Sequence, residues 1–229
     1  GSMRMSIGVM SLLVLLLVGA TYGWISSDPI AQNADGSYQY GLPMIAWVGV
    51  IVGFGLSMLL MFKPHLAKII GPIYAVAEGV FVGALSKMYE SLWDGIVVQA
   101  AGATLGVFFV MLFLYRTRII KVTEKLRAVV TAATLGVMVF YGVAFVIRLF
   151  AGSDSVSFLS SPSLLGIGFS VLVAGIAAFN LLLDFDFVER GAKQGLDKNF
   201  EWYAAFGLLV TVIWLYLEIL RLLSKLRER

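Results

Sequence analysis

The sequence predicts an all-α polytopic membrane protein in which residues 1–229 form one domain of seven transmembrane helices. Hydrophobic residues make up 60% of the chain and charged residues only 14%, with a mean hydropathy of +0.92. The apolar residues gather in seven runs of about 20 residues, the length that crosses a bilayer as an α-helix. The strict alternation of polar and apolar residues that would indicate a β-barrel is absent.

The first three spans are predicted at about 7–25, 43–62 and 69–87. Gly1 and Ser2 have the composition of a cloning remnant and are set aside. A cleaved signal peptide is the alternative interpretation of the first run. That run is long and lacks a clean small-x-small cleavage site, so we favour a span.

The remaining four spans are predicted at about 96–115, 128–147, 164–184 and 202–223. Small residues recur at steps of four in the third and fourth spans, which indicates helix faces that let another backbone approach closely. The third span carries the longer set and the fourth a pair: Gly71, Ala75, Gly79 and Gly83, then Gly102 and Gly106.

The positive charges of the loops predict the orientation. Loops 63–68 and 116–127 are basic, whereas loops 26–42 and 151–163 contain neither Lys nor Arg. Because basic loops stay in the cytoplasm, the N-terminus is predicted to be cytoplasmic. Seven crossings then place the basic tail outside. Either the last helix is re-entrant, or the earlier loops fix the orientation, which we favour because the last run is long enough to span.

The sequence lacks the residues that several functional classes require. The chain has no Cys and one His, so disulfides are excluded and a transition-metal site is not expected. His65 lies in a basic loop and is interpreted as solvated, with a pH sensor as the alternative. Nucleophile elbows, phosphate loops, zinc spacings and the GxGD motif of intramembrane aspartyl proteases are missing, so we expect neither an enzyme nor a cofactor. The basic loops suit anionic lipid and make no case for nucleic acid.

Acidic residues within the apolar runs are the candidate functional groups. Asp184 and Asp186 end the sixth run, Glu218 lies inside the seventh, and Glu78 lies about nine residues into the third, roughly 13 Å deep. A carboxylate in hydrocarbon is costly and requires a partner, a proton, water or a function. The simpler alternatives are interfacial residues that close the sixth helix, and an ion pair between Glu218 and Arg221.

Four segments carry a resemblance to a known family. They are AEGVFVGALS (77–86), QAAGATLGVFFVM (99–111), FNLLLDFDFVERG (179–191) and EWYAAFGLLVTVIWLYLEILRLL (201–223). From Gly71 onward the chain resembles the transmembrane Bax inhibitor motif family, in its bacterial branch, which implies a bacterial inner membrane. The most specific feature is the acid-terminated sixth run followed by YLEILRLL.

The resemblance implies a last helix surrounded by the other six, and a pH-sensitive calcium leak. It implies a proton-sensing pair made by Asp184 or Asp186 with an acid of the seventh helix. Glu218 fills that second position if the segments are aligned on LYLE, whereas Thr211 or a neighbour fills it if they are aligned on ILRLL. For the basic latch that the family places in its second helix, Lys63 is the nearest candidate.

Two functions of different classes follow as hypotheses. The first is a pH-sensitive calcium or cation leak channel with Glu78, Asp184, Asp186 and Glu218 along its path, in contact with calcium as the transported ion. The alternative is a non-conducting membrane regulator that binds a partner, such as a membrane AAA protease or a component of the cell-death or stress machinery. A heptahelical receptor is a weaker third interpretation, because the last span has no retinal lysine.

Overall fold

The computed structural model of the chain describes residues 2–152, 163–195 and 198–229. Within these ranges it contains seven α-helices, one short antiparallel hairpin and a single 3₁₀ turn at Pro64–Leu66. The helices are α1 (Ser2–Ile25), α2 (Met44–Phe62), α3 (Ala67–Leu92), α4 (Ile96–Arg116), α5 (Glu124–Ala151), α6 (Leu164–Gln194) and α7 (Lys198–Glu228). The strands are β1 (Pro29–Gln32) and β2 (Tyr38–Tyr40).

All seven helices are long and apolar enough to cross a bilayer, which confirms the predicted fold class and identifies an integral membrane protein. The helices α3 and α7 are the most enclosed. Half or more of the residues in their most apolar stretch are buried, whereas in each of the other five helices a third or less are buried. The helix α7 is continuous over 31 residues, so it has the length of a full span.

The sixth helix does not end at its acids. The predicted connection 185–201 is wrong, because α6 continues to Gln194 and α7 begins at Lys198. The polar residues that follow Asp186 lower the hydropathy without breaking the helix, and Glu189 forms an i,i+4 ion pair with Lys193 at 3.0 Å. Asp184 and Asp186 are therefore held inside a rigid helix.

The fifth helix also begins earlier than its apolar run. Thr123 is its N-cap, and the Thr123 hydroxyl accepts a hydrogen bond from the backbone N–H of Leu126 at 3.1 Å. This cap adds the turn at Glu124 to the helix, which the sequence placed in the basic loop. Residues 153–162 of the predicted loop 151–163 lie outside the described part of the chain.

The chain divides into two compact units, each with its own packing. Unit 1 comprises Gly1–Val97 and Phe187–Ile213, and unit 2 comprises Val98–Asp186 and Trp214–Arg229. The helices α6 and α7 thus contribute one part to each unit. That the whole chain is one domain stays a prediction.

Unit 1 is built on close contact between α1 and α3. A Cβ at Gly83 would overlap the carbonyl oxygen of Ala20, and a Cβ at Gly79 would overlap that of Leu16. The predicted small-residue face of α3 is therefore confirmed at these positions. On the facing side, α1 contributes Gly19 and Gly23, which lie against the backbone of α3.

The hairpin of unit 1 is attached to α3. The ammonium group of Lys87 donates to the carbonyl oxygen of Trp24 at 2.9 Å, near the carboxyl end of α1, where a cation complements the helix dipole. The same Nζ lies 4.2 Å from the centre of the Tyr40 ring, and the backbone N–H of Tyr40 donates to Ser91 Oγ at 3.3 Å.

Unit 2 packs through aromatic side chains of α4, α5 and α6. Phe185 lies 5.5 Å from the ring of Phe108, and Phe169 lies 5.0 Å from that of Phe140. The predicted close-packing pair on α4 has no packing partner among the described residues of the chain. Gly102 and Gly106 are exposed, and a Cβ at either would meet no atom of the described residues within 4 Å. Their four-residue spacing is present, but that face of α4 points away from the unit.

Candidate functional site

Three polar residues recur every seven positions on α5 and each contacts a polar residue of α6 or α7 within unit 2. They are Arg127, Thr134 and Tyr141. A seven-residue step returns to nearly the same helix face, so the three side chains follow one line along α5. At 1.5 Å per residue that line is about 21 Å long, a large part of the roughly 30 Å hydrocarbon thickness. We call these residues and their partners Asp186, Asn180 and Glu218 the polar row.

The first pair of the polar row is an ion pair. Arg127 Nη2 lies 2.7 Å from Asp186 Oδ2, and Nη1 of the same guanidinium lies 2.5 Å from Glu124 Oε1. The side chains of Arg127 and Asp186 are 24% and 15% exposed, which leaves this pair partly open to solvent, whereas Glu124 is fully at the surface. Two carboxylates thus share one guanidinium at this end of α5.

Asp184 lies two residues before Asp186 on α6. It is half-buried, and its Oδ2 atom is buried. The structure therefore brings both predicted acids of the sixth helix into unit 2, in different surroundings. Asp186 contacts α5 directly, and Asp184, two residues earlier, projects from α6 about 200° of helix rotation away from Asp186.

The middle pair is uncharged. Asn180 Nδ2 donates to Thr134 Oγ1 at 2.7 Å and to the carbonyl oxygen of Ile176 at 2.9 Å. The Thr134 hydroxyl in turn donates to the carbonyl oxygen of Val130 at 2.8 Å. This pair places hydroxyl and amide groups in the apolar middle of α5 and α6.

The third pair contains the predicted acid of α7. Glu218 is only 4% exposed, and its Oε1 accepts a hydrogen bond from the Tyr141 hydroxyl at 2.8 Å. The same hydroxyl oxygen accepts from Arg221 Nη1 at 3.1 Å, and the guanidinium lies over the Tyr141 ring at 5.4 Å. Tyr141 thus connects Glu218 to Arg221, where the sequence suggested a direct ion pair.

Glu218 is incompletely satisfied. Its Oε2 is buried and has no hydrogen-bond partner among the described residues. A carboxylate oxygen without a partner in a bundle is costly, and such oxygens are the ligands that hard cations prefer. The alternative residue of the predicted sensor, Thr211, belongs to unit 1 and donates to the carbonyl oxygen of Gly207 at 3.1 Å, within its own helix.

The other predicted residues lie in unit 1. The Glu78 carboxylate rests against α2, in space that a Cβ at Gly53 would fill, because such a Cβ would overlap Glu78 Oε1. Tyr74, one turn earlier, interacts with Ser57 of α2. The latch candidate Lys63 is exposed at the end of α2, and His65 is exposed in the 3₁₀ turn that follows.

The structure does not gather the predicted acids into one metal site. In the described ranges, no group of three or more His, Cys, Asp or Glu side chains converges on a position that could hold a metal ion. Four residues of the polar row were not predicted from the sequence: Arg127, Thr134, Asn180 and Tyr141. The signal that could have found the first three is their seven-residue spacing within an apolar helix.

Comparison with known protein families gives a match over nearly the whole chain. The family model described as Bax inhibitor 1 like matches residues 4–228, almost the whole chain. No curated protein matches the sequence significantly. The match confirms the resemblance that residues 77–86, 99–111, 179–191 and 201–223 suggested. With its seven apolar helices and a family match over nearly all of its length, the chain belongs to the Bax inhibitor 1 like family.

Proposed function

We propose that this protein is a pH-sensitive cation leak channel for calcium, with its path along the polar row of unit 2. The observation that carries the proposal is the row itself: three polar pairs across about 21 Å of a largely apolar bundle. Polar and ionisable groups within a membrane bundle are costly and commonly mark ion or proton pathways.

Calcium would meet the acids of the row one after another. Asp186 and Glu218 lie at opposite ends, and the middle pair supplies neutral oxygens. Weak sites in sequence allow a cation both to enter and to leave, whereas a cage of carboxylates would retain it. Arg127 competes with a mobile cation for Asp186, so this ion pair weakens the hold of Asp186 on a passing cation.

The proton dependence follows from charge. A carboxylate that takes up a proton no longer attracts a divalent cation, so acidification should lower the calcium flux. The groups that act on Asp186 include Arg127 and, through it, Glu124. Those that act on Glu218 include Tyr141 and Arg221.

The test is calcium flux into liposomes that contain the pure protein, measured from about pH 5 to about pH 8. We expect wild-type flux to fall with acidification, and the Asp184→Asn/Asp186→Asn variant to give a low flux that no longer follows pH. The matched control is Asp28→Asn/Asp35→Asn, which neutralises two exposed loop aspartates outside the spans. Flux that never exceeds that of empty liposomes would reject the proposal.

Glu78 is proposed as a further contributor within unit 1. Its carboxylate occupies the space left by Gly53, near the middle of the long helix α3. Neutralisation by Glu78→Gln preserves the shape of the side chain. A reduced flux in this variant would support its place on a cation path, and an unchanged flux would assign it to packing.

One observation favours the alternative function, a non-conducting regulator that binds a membrane partner. The Gly102 and Gly106 face of α4 is exposed, and small-residue faces are where transmembrane helices approach one another. If no flux is found, Gly102→Leu/Gly106→Leu tests this function: the double variant should lose any partner that crosslinks to the wild-type protein in its membrane.

We further propose a bacterial inner-membrane location with a cytoplasmic N-terminus, supported by the basic loops. The absence of cysteine makes the test direct, since single cysteines can be placed at His65 and Asp35. A membrane-impermeant thiol reagent should label the cysteine at 35 in intact cells, and the one at 65 only after permeabilisation. The reverse pattern would overturn the orientation.

A further inference from the structure

Unit 2 contains a buried lysine outside the polar row. Lys225 of α7 is only 1% exposed, and its ammonium group donates to Ser170 Oγ at 2.7 Å and to the carbonyl oxygen of Gly166 at 3.0 Å. Ser170 is likewise 1% exposed. The two acceptors are neutral oxygens one turn apart on α6, so the ammonium is held by ligands from a single helix face.

Two acids of the same helix act on Lys225, together with Arg221. Glu228 follows Lys225 by three residues at the end of α7. Glu218 precedes it by seven residues, about 10 Å along α7 and on nearly the same face. Glu218 Oε2 lacks a hydrogen-bond partner among the described residues, so part of its charge is balanced only at a distance.

We propose that the Gly166 carbonyl and the Ser170 hydroxyl form a binding position for a small monovalent cation, and that the Lys225 ammonium occupies it as a built-in cation. Carbonyl and hydroxyl oxygens are the groups that replace the hydration shell of a cation in protein interiors. The long lysine side chain brings a charge of the right size to these oxygens. The site is distinct from the polar row, which takes its acids from Asp186 and Glu218.

Chemical rescue tests this site without any assumption about conduction. Lys225→Ala leaves the two oxygens facing a space with the length of a propylammonium ion. In purified protein we expect the variant to unfold at a lower temperature than the wild type. Propylammonium at tens of millimolar should raise that temperature by about 3 °C or more, whereas 1-propanol should not. The matched control is Lys125→Ala, which removes an exposed lysine.

Further variants separate cation binding from general stabilisation. In Lys225→Ala/Ser170→Ala the rescue by propylammonium should weaken, because one of the two oxygens is gone. If propylammonium and 1-propanol stabilise Lys225→Ala equally, or if propylammonium stabilises Lys125→Ala as much, the site is refuted.

If Lys225→Ala does not fold, amine-reactive labelling of folded protein replaces the rescue. Lys225 should be protected in the wild type, where the exposed Lys121 and Lys125 are labelled, and should become reactive in Ser170→Ala. Labelling of Lys225 at the rate of Lys125 in the wild type, or continued protection in Ser170→Ala, would contradict the proposal.

The effect of this fixed charge on calcium rests on the proposed function. If cations pass Glu218, removal of the positive charge by Lys225→Met should raise their flux several-fold, since like charges in a bundle repel strongly. A rescue without a change in flux would keep the cation site and count against its place beside the path. A raised flux in Lys225→Met without propylammonium rescue of Lys225→Ala would reject the cation site and keep Lys225 beside the path.

Discussion

At the scale of single residues, Tyr141 is notable because its one hydroxyl group serves two charged side chains. One hydroxyl group donates to Glu218 and accepts from Arg221, so it connects two charges of opposite sign across about one turn of α7. A phenylalanine would keep the ring contacts with Phe140 and Phe169 and would lose only the oxygen. The position therefore separates the contribution of the hydroxyl from that of aromatic packing.

We predict that Tyr141→Phe lowers the free energy of unfolding by about 1–3 kcal/mol, because Glu218 then loses a hydrogen bond while it stays buried. Equilibrium unfolding in mixed micelles measures the effect. The matched control is Tyr38→Phe, on the exposed hairpin strand, which should change stability little. Equal stability of Tyr141→Phe and wild type would mean that Glu218 is satisfied by other groups.

Asp35 gives a second prediction at this scale, outside the spans. The hydroxyl and backbone N–H of Ser37 donate to its carboxylate at 2.6 Å and 3.0 Å and lower its pKa from the ordinary value of 3.8. Because the folded-state pKa is lowered, this turn is fully stabilised above pH 3.8 and loses the contribution as pH falls through the lower value.

Ser37→Ala should return the Asp35 pKa towards 3.8, since it removes the first cause of the shift. Titration of the carboxyl carbon by NMR in micelles would show the change directly. Asp28, in the same loop, serves as the internal reference in both proteins. An Asp35 pKa that is the same with and without the Ser37 hydroxyl would contradict the turn geometry.

At the scale of elements, the helices differ in what their glycines do. Gly83 lies where α3 touches the backbone of α1, whereas Gly106 lies on an open face of α4. Both fall in small-residue repeats that look alike in the sequence. A repeat predicts a surface that permits close approach, but which neighbour approaches depends on the rotation of the helix in the bundle.

Alanine at these two glycines should therefore act in opposite directions. We expect Gly83→Ala to destabilise the protein by about 1–3 kcal/mol, since its Cβ would overlap the Ala20 carbonyl oxygen. Gly106→Ala should be neutral or stabilise by up to about 1 kcal/mol through helix propensity. Thermal unfolding of the two variants side by side checks the pair, and a loss at Gly106 as large as that at Gly83 would contradict the packing.

The ends of helices were harder to predict than their apolar centres. Hydropathy located all seven spans, but it ended the sixth at Asp184, where the polar but helix-forming residues up to Gln194 continue the helix. Residues inside the bilayer must be apolar, but a helix can continue beyond the bilayer into water. Hydropathy therefore marks where the helix leaves the membrane and not where the helix ends. The Thr123 cap and the Glu189–Lys193 pair are local signals that would have extended both helices correctly.

At the scale of the whole molecule, composition and span length were enough for the fold, and the resemblance of four segments was enough for the family. The candidate site was predictable only in part. Asp184, Asp186 and Glu218 stand out because charge is rare in apolar runs, whereas Thr134, Asn180 and Tyr141 are uncharged and do not stand out in the same way. Their significance comes from the pairing of α5 with α6 and α7, which no single segment contains.

The proposed cation path depends most on the middle of the polar row, where Thr134 and Asn180 contact each other. The double variant Thr134→Val/Asn180→Leu removes both polar side chains of this pair. Because no buried polar group is left without its partner, the variant should keep the fold. The control is Thr104→Val, a buried threonine of α4 in the same unit.

Calcium flux into liposomes, measured for these proteins at about pH 8 and about pH 5, is the most direct test. A path along the row predicts that the double variant loses about tenfold or more of the flux at the higher pH, whereas Thr104→Val behaves as wild type. Wild-type flux and pH dependence in the folded double variant would show that calcium does not travel along the polar row.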